Sequence, residues 1–181
     1  MQTLDLATQP LREVNATLQA QGTGSNATDW EILNPRGAHA LAVGLDGPLS
    51  VTVRGATGYY TGGMNKHATV HVEGSAGPGV AENMMSGTVL IDGDASQYAG
   101  ATGRDAGDAL GDSLYEARIF VRGTVKSLGA DCIEKEMRPE HVEILRDLLA
   151  RAGMDADPAA FRRYGSARKL YNFDIDNASD Y

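Results

Sequence analysis

The chain has 181 residues and 22 glycines, with 16 Lys and Arg against 24 Asp and Glu, a formal net charge of −8. That length buries a core without staples. The acidity excludes charge-driven binding to nucleic acid, and no apolar run reaches the roughly 18–20 residues of a membrane-spanning helix. The single cysteine, Cys132, excludes an intrachain disulfide. With no basic or apolar leader pattern in MQTLDLATQP, a reducing cytoplasm is the expected location.

In chain order, Pro10 with Leu11, Val14 and Leu18 predicts a short helix, followed by a loop over Gln21–Asn26. An internal repeat comes next. LSVTVRG, ATVHVEG, GTVLIDG and ARIFVRG end at Gly55, Gly74, Gly93 and Gly123, the first three at equal intervals. Each alternates like a strand with one buried face. Val51, Val70, Val89 and Ile119 share one inward position, and Val53, Val72, Ile91 and Val121 share the next. Thr52 and Arg54, His71 and Glu73, Leu90 and Asp92, and Phe120 and Arg122 then point outward. Arg54 and Glu73 fall on adjacent rungs with opposite charge. Leu90 and Phe120 form an apolar row that needs a cover, and the C-terminal helix, through Leu145 and Leu149, is the expected one.

One strand and several turns per repeat predicts a mainly β fold, a single-stranded right-handed β-helix with short flanking helices at both ends. A sandwich gives no reason for the repeat. The assigned parts are residues 1–30, an N-terminal helix and loop; 31–137, the β-helix; and 138–181, C-terminal helices and tail. Gly55, Gly58, Gly74, Gly77, Gly93, Gly100, Gly123 and Gly129 are the structural turns, expected to supply positive φ at the corners. Pro139, the stripe Val142, Leu145, Leu148 and Leu149, and Gly153 predict a helix. Asp157-Pro158 predicts a second short helix through Tyr164. The tail KLYNFDIDNASDY is either an arm packed on its own coils or one that docks a neighbour.

Catalytic, cofactor and metal motifs are not found. Gly77-Pro78-Gly79-Val80-Ala81-Glu82 begins like a dinucleotide fingerprint, but no helix pattern follows. His67 and His71 flank or occupy a strand, where a surface role outweighs metal ligation. Asp105, Asp108 and Asp112 lack the dense oxygen spacing of a cation loop. Cys132 has no activating base nearby. Tyr59, Tyr60, Met64, Met84 and Met85 cluster in turns between strands, residue types enriched in interface cores, with Asn65, Glu82 and Asn83 beside them. These eight are the candidate interface; the alternative is that they plug the ends or corners of the coil.

The segments NPRGAHALAVGL (34–45), GATGYYTGGMN (55–65), GPGVAENMMSGTVLIDGDAS (77–96) and AGATGR (99–104) resemble the GXGXG β-helix domain of glutamate synthase. LGDSLYEARIFVRGTVKSLGADCIEKEM (110–137) and FRRYGSARKLYNFDIDNASDY (161–181) are similar to the free-standing subunit of three-subunit enzymes of that kind, especially N-methylglutamate synthase. The resemblance implies a non-catalytic subunit joining a class II amidotransferase-like subunit to an FMN-binding, iron–sulfur synthase subunit. The complex would turn glutamate and methylamine into N-methylglutamate and ammonia. FMN and the iron–sulfur cluster are expected in the partner, with no cofactor in this chain. Another glutamate-synthase-like complex, the β-helical subunit of formylmethanofuran dehydrogenase, or an independent solenoid acyltransferase are the alternatives; the last needs a six-residue period. Against the family pattern, Arg104 is followed at once by Asp105-Ala106-Gly107, and the interval from Gly93 to Gly123 is neither one repeat nor two. About two coils are therefore expected to be missing, with Ile119 and Val121 stacking directly on Val89 and Ile91, or else a bulged loop over Gly103–Ser113.

Overall fold

The computed structural model describes residues 1–22, 29–96, 106–111, 118–151 and 153–167. Five parallel strands stack in sequence order: β1 (Gln2–Asp5), β2 (Asp29–Leu33), β3 (Ser50–Val53), β4 (Thr69–Val72) and β5 (Thr88–Ile91). Parallel neighbours need a long return path; here the returns from β2 through β5 are coils of turns, which makes the stack a solenoid. Ser50 pairs with Thr69 and Thr69 with Thr88, so the interval of the sequence repeat is the rung spacing.

The inward positions form one core. Val51, Val53, Val70, Val72, Val89, Ile91, Ile119 and Val121 all lie in it, joined by Leu4, Trp30 and Ile32 from β1 and β2. The ladder thus begins on the N-terminal side of residue 31, with Trp30 opposite Val51 and Leu4 opposite Ile32. Between β1 and β2 the helix α1 (Leu11–Gln19) takes the place of a turn row and buries Val14 and Leu18. Its Asn15 acts as a substitute peptide group: Nδ2 donates to Ala40 O at 2.8 Å, and Oδ1 accepts from Ala42 N–H at 2.9 Å. Backbone groups at the end of the stack are thereby satisfied.

Outward positions also carry the expected partners. Arg54 bridges Glu73 and Glu31 on the two neighbouring rungs, and these carboxylates hold its guanidinium pKa further up. His71 Nε2 lies 2.8 Å from Asp92. Leu90 and Phe120 are covered by α2 (Pro139–Arg151), in a second cluster with Leu145, Leu148, Leu149 and Phe161. Gly153, at φ 66°, stops α2, and Met154 N–H bonds back to Leu149 O. Leu145 is fully buried. Leu145→Ala is expected to cost about 3 kcal/mol in urea unfolding, whereas the exposed Glu143→Ala should cost almost nothing.

Three expectations change. First, β6 (Ile119–Val121) does not pair with β5. Instead it pairs antiparallel with β8 (Arg162–Ser166), whose other edge carries β7 (Cys132–Lys135). Clean stacking of Ile119 and Val121 on Val89 and Ile91 is therefore overturned. Continuity survives at the corner, where Ala95 bridges Ala106 and Ala106 bridges Val125. The step from Ala95 to Ala106 is little more than half a repeat, while Thr57 to Ala76 and Ala76 to Ala95 are full repeats. The corner ladder thus passes through Ala106 between the rungs of β5 and β6.

Second, the helix expected through Tyr164 is only a 3-10 turn, Pro158–Ala160, capped by Asp157 accepting from Ala159 N–H. The residues after it extend because β8 wedges between β6 and β7, burying Arg163 and Tyr164. Tertiary pairing overrides the local cap signal there.

Third, among the described turn glycines only Gly55 has a positive φ. Gly58, Gly74, Gly77 and Gly93 are glycine because the previous rung leaves no room: a Cβ on Gly74 would stand 2.7 Å from Ala56 N. Gly100 and the tail from residue 168 lie outside the described residues.

Candidate interaction surface

Positive φ falls on alternate residues of the turn rows instead. Ala40, Ala42 and Gly44 form one row, Tyr60, Gly62 and Met64 the next, and Gly79, Ala81 and Asn83 the third. Six of these nine are not glycine. Each non-glycine residue in this region is strained by about 1 kcal/mol, and inter-row hydrogen bonds hold it there. Ala40 N–H donates to Tyr59 O at 2.8 Å and Gly62 N–H to Leu41 O at 2.9 Å. One rung on, Tyr60 N–H donates to Pro78 O and Ala81 N–H to Thr61 O. Bonds running in both directions make a rigid face, with Leu41, Thr61 and Val80 buried beneath it.

Onto that face the structure brings Tyr59, Tyr60, Met64, Glu82, Asn83 and Met85. Tyr59, Met64 and Met85 are 51%, 46% and 60% exposed. Tyr60 lies across Gly63, where a Cβ would meet its ring at 2.6 Å, and its hydroxyl accepts from Asn83 Nδ2 at 3.1 Å. Two of the eight candidates face elsewhere. Met84 packs against the core. Asn65 is fully buried; its Nδ2 donates to Ala42 O at 2.9 Å and its Oδ1 accepts from Leu45 N–H at 2.7 Å.

A groove of about 590 Å³ crosses the same face, lined by His39, Gly58, Tyr59, Gly77, Pro78, Gly79 and Glu82. His39 joins this surface without any sequence signal beyond its type. It lies one rung from Tyr59, with ring centroids 4.4 Å apart at 36°, and Tyr59 N–H donates to its Nδ1 at 3.1 Å. Gly58 permits this, since any Cβ there would collide with the imidazole.

The arrangement suits binding. Burial pushes the Cys132 thiol up to about 11, so at neutral pH it is protonated and a poor nucleophile. In the folded chain Cys132 should react with a thiol reagent at pH 8 far more slowly than in denaturant; equal rates would place it at the surface. Among the described residues no group of three His, Cys, Asp or Glu could hold a metal ion. Asp108 pairs with Lys126 at 2.6 Å. After Gly79 the chain continues through turn residues into β5, so no helix N-terminus follows to cradle a phosphate of FMN. No helix of the described residues is long and apolar enough to cross a membrane.

Protein GlxC of Rhizobium meliloti (strain 1021) is 55% identical over 228 residues, spanning 100% of this chain and 100% of the relative. That alignment exceeds the 181 residues of this chain by 47 positions. No protein-family model matches the chain, so the likeness to the glutamate synthase β-helix rests on the segments quoted above. No solved structure matches it.

Proposed function

We propose that this chain, which belongs to the family of Protein GlxC, is the scaffold subunit of a heteromeric glutamate-synthase-like enzyme. The carrying observation is the turn face, a hydrogen-bonded stack that presents half-exposed Tyr59, Met64 and Met85 beside a groove. Such large apolar groups, grouped on one rigid face, suit a protein partner. The resemblance of residues 110–137 and 161–181 makes N-methylglutamate synthase the finer reading. An amidotransferase-like subunit and an FMN-binding, iron–sulfur subunit would carry the chemistry.

In this role the chain contributes position. Rungs stack at about 4.8 Å, so the five-stranded ladder sets a fixed spacing of about 20 Å along its axis. A fixed spacing keeps two active centres in register, which favours transfer between them over loss to solvent.

The test is reconstitution from separately purified subunits. N-methylglutamate formation from glutamate and methylamine should require this chain, and flavin should copurify with the synthase-like subunit. Full turnover without this chain, or stoichiometric FMN on this chain alone, would refute the reading.

A further inference from the structure

We propose that the groove between Tyr59 and Glu82 receives an arginine side chain of a partner subunit, an inference that rests on the scaffold reading and names the chemistry of its contact. The aromatic wall is the His39–Tyr59 pair, with rings 4.4 Å apart and Tyr59 half exposed. Glu82 lines the same groove. Its Oε2 lies over Gly79, where a Cβ would approach it to 2.6 Å, so the bare glycine lets the carboxylate rest on the groove floor.

Glu82 is half-buried, and among the described residues it has no cation to pair with. Lys66 pairs with Asp46 at 3.6 Å, and Arg54 with Glu31 and Glu73. A partly desolvated carboxylate without a counter-ion recovers energy when a cation arrives. The ring face of Tyr59 attracts that same cation. A guanidinium fits both walls better than an ammonium, because it is planar, weakly hydrated, stacks on rings and pairs with a carboxylate through two N–H groups. The chain's charge of −8 draws basic surfaces toward it. Exposed Met64 and Met85 extend the contact beyond the groove, which suits a protein surface over a free small cation.

Two measurements test this. The full chain is titrated with N-acetyl-arginine amide and, separately, with its neutral counterpart N-acetyl-citrulline amide, following Tyr59 and Glu82 by NMR. Arginine amide should shift both residues, citrulline amide should not, and Glu82→Gln should abolish the shifts. In parallel, Kd is measured against the amidotransferase-like and FMN-binding subunits. Glu82→Gln and Tyr59→Ala should each weaken one of these complexes about tenfold, with the melting temperature of the free chain unchanged. No shift, or equal shifts with both compounds, overturns the proposal. Shifts without any change in Kd overturn it too, leaving a site for a small cation. If neither subunit binds the unmodified chain, the scaffold reading falls and the partner contact with it, while the arginine titration still reports whether the groove takes a guanidinium.

Discussion

Gly77→Ala is expected to destabilise the chain by about 3 kcal/mol, one of the largest losses available from adding a single methyl group. A Cβ at this position would lie 2.6 Å from Gly58 C and 2.8 Å from Tyr59 N. Both atoms belong to the backbone of the rung beneath, which is itself bonded to its neighbours, since Gly77 N–H donates to Thr57 O at 3.1 Å. Backbone held on both sides cannot retreat as a flexible side chain would. Gly37→Ala provides the contrast. Its φ is +73°, but nothing lies within 4 Å of the added atom. It should lose only the conformational preference, about 1 kcal/mol. Urea unfolding of both variants separates crowding between rungs from backbone strain; equal losses would mean that the rungs do not stack as described.

Asn65→Ala is expected to cost a similar amount, about 3 kcal/mol, for a different reason. The side chain is fully buried and does the work of a peptide group, linking Ala42 O to Leu45 N–H within the preceding row. Truncation strands one buried donor and one buried acceptor. Asn65→Asp sharpens the test. It keeps an acceptor for Leu45 N–H but turns a carboxylate toward the Ala42 carbonyl. Burial and that oxygen raise its folded-state pKa above the unfolded value, so its contribution is present at low pH and lost as pH rises through the folded pKa. Measured against the unmodified chain, Asn65→Asp should therefore be less destabilised at pH 4 than at pH 7. A pH-independent difference would place the side chain in solvent.

The repeat was legible in the sequence because Val51, Val53 and their equivalents recur at the spacing of the rungs. The first two rungs were not. Trp30 precedes its partner Val51 by slightly more than one repeat, and Leu4 precedes Ile32 by about one and a half, because α1 replaces a turn row and lengthens that coil. Tyr164 was misread for another reason: Asp157-Pro158 does cap a turn, but pairing with β6 and β7 decides the conformation of the chain beyond it. On the turn face, Tyr59 and Met85 stood out by residue type. His39 and Asn65 matter through neighbours one rung away, a relation visible only once the rung register is known.

The short step from Ala95 to Ala106 breaks the rung of strands but keeps the corner of small residues, where alanine stacks on alanine. A solenoid tolerates a short step of this kind because each coil contacts mainly its neighbours.

In the proposed role this chain joins two subunits that do not otherwise hold together. Sedimentation velocity on the amidotransferase-like and FMN-binding subunits, mixed with and without this chain, tests it most directly. Separate boundaries are expected in its absence, and one faster, flavin-absorbing boundary containing all three chains in its presence. A two-subunit complex that forms equally well without it, or no faster boundary with it, would rule out the scaffold role.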